Sequence, residues 1–250
     1  MANPRKTFPN DRVGRETLTA IMVDGGFYRH QAYDLFGDKT PEQRAVELFT
    51  YCMRHIAHNH SNLYRIFYYD CPPSTKTVFH PLLRKTINLG KTEQYRWSER
   101  FFEELASKRK VALRRGEELS TGGGYRLHPD KLKKLCAGTM SVDEIQESDL
   151  TLEITQKGVD LRLGIDIADI ANRGLVNQIV MIAGDSDFVP AAKYARRSGI
   201  DFILDPMYSH ITKSLNEHVD GLYSPVKAPP ANSQDALHVS NLGASKRGSR

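Results

Sequence analysis

Four aspartates carry the clearest chemical signal in this sequence. Asp24 closes the apolar run LTAIMV, Asp185 and Asp187 flank Ser186 directly after the run QIVMIA, and Asp160 follows Lys157-Gly158-Val159 at the start of a helical stretch. Two carboxylates about 4 Å apart repel by about 1 kcal/mol in water and about 4 kcal/mol at an effective dielectric of 20. Four of them gathered together need protons or a divalent cation. A set of oxygen ligands without Cys or His selects hard ions, Mg²⁺ or Mn²⁺. Such ions serve phosphoryl chemistry. Each acid also has a purely structural use: an Asp after a strand caps the next helix or closes an Asx-turn, and one in a first helical turn favours the dipole.

What would bring these acids together is an alternating pattern of strands and helices. Short apolar runs at 18–23, 63–69, 111–113, 178–183, 200–204 and 221–223 read as strands. Helical spacing occupies 41–58, 97–109, 130–136, 157–172, 187–197 and 211–218, with Thr40 placed as N-cap before Pro41. This alternation predicts an α/β fold with a parallel sheet, right-handed crossovers and ligands beyond the carboxyl ends of the strands. The acids fall on that edge.

The chain has 250 residues, 40% hydrophobic and 26% charged, enough for a substantial core without disulfides. Cys52, Cys71 and Cys136 form no CxxC pair, so no thiolate zinc site is expected. No apolar run is long enough to cross a membrane and the N-terminus has no apolar signal core. These features read as a cytoplasmic protein. Residues 1–17 and 227–250 read as loose ends around a domain at 18–226, with 71–150 as a basic, mostly helical insertion. Within 76–134 there are 15 Lys and Arg against 7 Asp and Glu, leaving 20 against 23 elsewhere. That asymmetry suggests a polyanionic partner. Lys76, Arg84, Lys85, Arg114 and Arg115 are the candidate phosphate contacts, interleaved with Phe79, Tyr95, Trp97 and Tyr125. Cations beside aromatic platforms suit single-stranded nucleic acid. Lys157 and Ser186, adjacent to the acids, are further candidates for holding a phosphate. Asp166 and Asp169 are turned away from Asp160 by the helical repeat and read as solvent or salt-bridge residues. His55, His58 and His60 read as surface residues at a helix end.

Three motifs carry a family resemblance: VDGGF at 23–27, QKGVDLRLGIDI at 156–167 and AGDSDFVPAAKYARRSGI at 183–200. Together they resemble the NYN domain of the PIN-like nuclease superfamily. The resemblance implies a PIN-like, Rossmann-like sheet and divalent-metal-dependent hydrolysis of RNA by water, leaving 5′-phosphate and 3′-hydroxyl ends. Asp24, Asp160, Asp185 and Asp187 would be both the catalytic and the metal-binding acids. The family form carries Asn three residues after the first Asp, where this chain has Phe27. The expected partner is RNA, single strands favoured, with DNA as an alternative and a homodimer compatible with folds that often pair. Two other readings stand beside the nuclease: an RNA-binding module that turns over poorly, and a nuclease or phosphatase acting on DNA or small nucleotides.

Overall fold

A computed structural model describes residues 16–117, 119, 121, 124–155 and 158–226. Its centre is a six-stranded, wholly parallel sheet. The strands are β1 (Leu18–Asp24), β2 (Asn62–Asp70), β5 (Val111–Arg115), β8 (Gln178–Ile182), β9 (Asp201–Asp205) and β10 (Gly221–Leu222), in the order β10-β9-β8-β1-β2-β5. Two small antiparallel pairs lie outside it: β3 (Thr77–His80) with β4 (Lys85–Asn88), and β6 (Tyr125–Leu127) with β7 (Leu150–Leu152).

The central strands are apolar nearly throughout because helices cover both faces. Alternation then divides the core. Ala20, Met22, Ile179 and Met181 face one layer, which holds α5 (Val159–Asn172), α6 (Val189–Arg197) and α7 (Lys213–Glu217). Ile21, Val23, Val180 and Ile182 face the other, which holds α1 (Gly25–Phe36), α2 (Pro41–His58) and α3 (Glu93–Ala106). Helix α4 (Pro129–Cys136) buries no residue. The chain runs outward from β1 through β2 to β5 with its helices on one face. It then returns to the other side of β1 and runs outward through β8, β9 and β10 with helices on the opposite face. Right-handed crossovers demand that change of face when the direction reverses.

Local sequence places the helices as expected at several ends. Thr40 accepts the N–H of Gln43, and the Gln43 side chain accepts that of Thr40, a reciprocal cap in front of Pro41. Helix α1, which the hydrophobic pattern does not announce, starts directly after the last residue of β1.

The basic segment departs from expectation. It is not one mostly helical insertion. Strand β5 pairs with β2 as an edge of the main sheet, and Phe101, Phe102 and Leu105 of α3 are buried against that sheet. The parts outside the core are the β3–β4 hairpin and the stretch carrying α4, β6 and β7. At the N-terminal end, the Thr17 carbonyl accepts the Asn62 N–H at 2.7 Å, tying residue 17 to the start of β2. Residues 1–15 and 227–250 lie outside the described residues. No helix among the described residues is long and apolar enough to cross a membrane.

Candidate active site

The strand order reverses between β1 and β8, and at such a switch point the loops leaving the two strands diverge and open a crevice. Asp24 ends β1. Asp185 follows β8 by three residues, and Ser186 and Asp187 occupy the short 3-10 turn Ser186–Phe188. Asp160 is the second residue of α5, the helix that leads into β8. Gly158, with φ 76°, turns the chain into α5 through the left-handed region that favours glycine. The four aspartates therefore approach the same carboxyl edge from three elements.

Their electrostatics agree. Burial pushes the Asp24 carboxyl up, and the negative charge of Asp160 adds to the shift; the Phe27 and Gly26 N–H groups and Arg29 oppose it. Asp160 is also raised, by partial burial and then by the charges of Asp185 and Asp187. Like charges close enough to perturb one another are what a divalent cation would relieve.

Two of the acids also cap. Asp24 Oδ1 accepts the Phe27 N–H at 3.1 Å, and Asp185 Oδ1 accepts the Asp187 N–H at 3.0 Å. Each of these bonds engages one carboxylate oxygen. Asp160, Asp185 and Asp187 are exposed and Ser186 is half-buried. Among the described residues, no three Asp, Glu, His or Cys side chains stand close enough together to share one ion. The donor set suits a hard cation, while a common ion would require the side chains to move closer together.

The remaining candidates are dispersed. Lys157 lies outside the described residues. Lys76, Arg84 and Lys85 are exposed on or beside the β3–β4 hairpin, with Arg84 in the turn at φ 49°. Arg114 and Arg115 end β5. Arg114 Nε donates to Asp166 Oδ2 at 2.7 Å, and its guanidinium covers the Phe67 ring at 5.1 Å. Arg115 lies over the Phe102 ring at 4.9 Å. Asp166 also accepts the Tyr69 hydroxyl at 2.9 Å, and Asp169 pairs with Arg173 at 3.3 Å, so both serve as salt-bridge residues.

The histidine reading needs correction. His55 is fully buried, with Nε2 2.8 Å from Asp205 Oδ2, because Asp205 ends β9 inside the core and needs partners there. His58 is exposed but stacks on Tyr223 with ring centroids 3.6 Å apart.

Sequence reasoning also missed a polar group beside Asp24. The Arg29 side chain, 26% exposed, pairs through Nη1 with Asp70 Oδ2, whose own side chain is 1% exposed. The same nitrogen donates to the Tyr68 hydroxyl at 3.3 Å. That hydroxyl donates to Asp70 Oδ2 at 3.1 Å, and Asp70 Oδ1 accepts the Cys71 N–H at 2.8 Å. Burial pushes the Tyr68 phenol up to about 12, so it remains a donor at neutral pH. Gly25 lies on this group: a Cβ there would come within 2.6 Å of both Asp70 Oδ2 and the Tyr68 hydroxyl. The first glycine of VDGGF was the available clue, but its counterpart lies 45 residues away in the sequence.

A family model for the NYN domain matches residues 98–223, half of the chain. This chain belongs to the NYN family. Membership places it in the PIN-like superfamily, a nuclease family whose members generally use divalent metals. The matched region contains Asp160, Asp185 and Asp187 and begins after β1, so Asp24 joins the set through the sheet rather than through the match. The crystal structure of a protein of unknown function from Vibrio parahaemolyticus RIMD 2210633 is similar over 84% of this chain and 94% of that one, at 11% identity and a TM-score of 0.42. No curated protein matches.

Proposed function

We propose that this NYN protein is a divalent-metal-dependent ribonuclease. What supports the reading is that Asp24, Asp160, Asp185 and Asp187 lie along one carboxyl edge at the β1–β8 switch point, where the charge of Asp160 acts on Asp24 and those of Asp185 and Asp187 act on Asp160. These four residues would hold Mg²⁺ or Mn²⁺, which when bound would activate water and offset charge on the scissile phosphate. The protein's part is to fix the acids on rigid elements and leave the edge open to a strand of RNA. Ser186 offers a hydroxyl between two of the acids for a phosphate oxygen. Lys157, three residues before Asp160 in the sequence, would contribute a cation. Arg115, with Lys76, Arg84 and Lys85, supplies charge along the path of the backbone.

A second reading is an RNA-binding NYN module with little turnover. What favours it is the pair of capping bonds on Asp24 and Asp185, together with Phe27 at the position where the family form has Asn.

The two separate in one experiment. Labelled single-stranded RNA is incubated with Mg²⁺, Mn²⁺ or EDTA, using the wild-type protein and Asp185→Asn. Asparagine is as good an N-cap as aspartate, so the substitution removes charge while preserving the turn. Metal-dependent cleavage lost in the variant supports the enzyme. RNA bound but intact under every condition supports the binding module. Cleavage of DNA alone, or release of phosphate from mononucleotides, moves the activity to a different substrate class.

A further inference from the structure

We infer that Arg29 is a phosphate-binding residue of this site, its guanidinium held at the mouth of β1 and β2 by Asp70 and Tyr68. The inference rests on the ribonuclease reading and names one of its substrate contacts.

Arg29 sits on α1, five residues after Asp24. Side chains of a helix lean toward its N-terminus, so Arg29 leans back over the carboxyl edge of the sheet. There it meets the end of β2, which is hydrogen-bonded to the end of β1 through the pair Asp24 and Tyr69. Asp70 is buried and Tyr68 is fully enclosed, so they hold the guanidinium from below. Both contacts use Nη1. An arginine presents five N–H donors in a planar fork. Anchored through one terminal nitrogen, Arg29 can direct others at a phosphate beside the acids. Its charge is already felt there, since it opposes the upward shift of Asp24.

A divalent ion on the aspartates and a guanidinium alongside would grip one phosphodiester from two sides. The contact is bidentate in kind, which Lys does not reproduce. Gly25 belongs to the same device. Any side chain there would displace Asp70 and Tyr68, and with them the anchor of Arg29.

The simpler use of Arg29 is neutralisation of buried Asp70. The two roles differ in what Arg29→Lys does. Binding of a fluorescent single-stranded RNA of about 12 nucleotides is measured in EDTA over a series of salt concentrations. The variants are Arg29→Lys and Arg29→Gln, with Arg173→Gln, at the opposite edge of the sheet, as a control for charge alone. Thermal melts establish that each is folded. Arg29→Gln should weaken binding on the order of tenfold and reduce the salt slope by about 0.7, one phosphate's worth on a single strand. Arg29→Lys should keep the slope and still lose affinity several-fold, even where Arg29→Gln fails to fold.

If both folded Arg29 variants bind with wild-type affinity and slope, Arg29 only neutralises Asp70 and the inference is overturned, whether or not the protein cleaves RNA. If the wild type binds RNA and the variants lose affinity, but no metal supports cleavage, the ribonuclease reading falls and the Arg29 contact stands. If the wild type binds no RNA, both fall.

Discussion

The Phe27 ring occupies the space that a side chain on Gly184 would need: Cε2 lies 2.6 Å from where a Cβ on that glycine would stand. Phe27 belongs to the turn that Asp24 caps, and Gly184 immediately precedes Asp185. This contact therefore couples the loops leaving the two strands of the switch point. Gly184→Ala should force them apart, costing about 1–3 kcal/mol by overpacking and reducing metal-dependent cleavage. Phe27→Ala should open room and offset part of that cost in the double variant, with a coupling of about 0.5–3 kcal/mol in a chemical-denaturation cycle. Strict additivity would mean that the two loops are energetically independent.

The pair of His55 and Asp205 lies deep under the same layer. Asp205 accepts from Tyr51 at 2.7 Å, from Ser224 at 2.5 Å and from the Met207 N–H at 2.8 Å, besides meeting His55. Among the described residues, His55 Nδ1 is the buried side-chain polar atom without a hydrogen-bond partner. His55→Ala removes one of several partners of buried Asp205 and leaves a cavity in the core, so it should cost about 2–5 kcal/mol. The exposed pair of Arg173 and Asp169 should yield about 0–1 kcal/mol on Arg173→Gln. Urea unfolding at pH 7 measures both, and equal losses would contradict a buried, hydrogen-bonded role for His55.

These relationships also define what the sequence could reveal. The strands 18–23 and 178–183 were legible as unbroken apolar runs because helices cover both sheet faces, and the acids ending them were legible with them. Helix α1 was not: it opens on Gly25-Gly26, and Gly25 serves close approach to Asp70 and Tyr68 rather than helix formation. The segment holding α3 and β5 read as an insertion because its Lys and Arg content hid Phe101, Phe102 and Leu105, which belong to the core. The four strands of the small hairpins are three or four residues long, too short for an alternating pattern. Arg29 with Asp70, and His55 with Asp205, join residues 41 and 150 positions apart, and only the parallel pairing of β1, β2, β8 and β9 brings them together.

Charge at Asp24 should set a pH dependence. Its carboxyl is raised above the ordinary 3.8 by burial and by Asp160. A raised acid binds its proton more tightly folded than unfolded, so its ionised form weakens the fold. That penalty is absent below 3.8, grows between 3.8 and the folded pKa, and is complete above it. Asp24→Asn keeps the cap on Phe27. In EDTA the variant should therefore melt above the wild type at pH 7, with the gap closing as the pH falls through that window. Mg²⁺ or Mn²⁺ should raise the melting temperature of the wild type more than that of the variant. A gap independent of pH, or equal metal shifts, would show that Asp24 is neither strained by its charge nor a ligand.

The β3–β4 hairpin gives the last prediction. Arg84 and Lys85 are exposed at its turn, and a cation held in water contributes to RNA binding by releasing counterions rather than by fixed geometry. Its contribution should then appear in salt dependence more than in cleavage chemistry. Replacing both, with Arg84→Asn because asparagine tolerates the turn's positive φ and Lys85→Gln, should lower the slope of log affinity against log salt by about 1.4, two phosphates at about 0.7 each. Cleavage at saturating RNA should be unchanged. An unchanged slope would remove the hairpin from the RNA path.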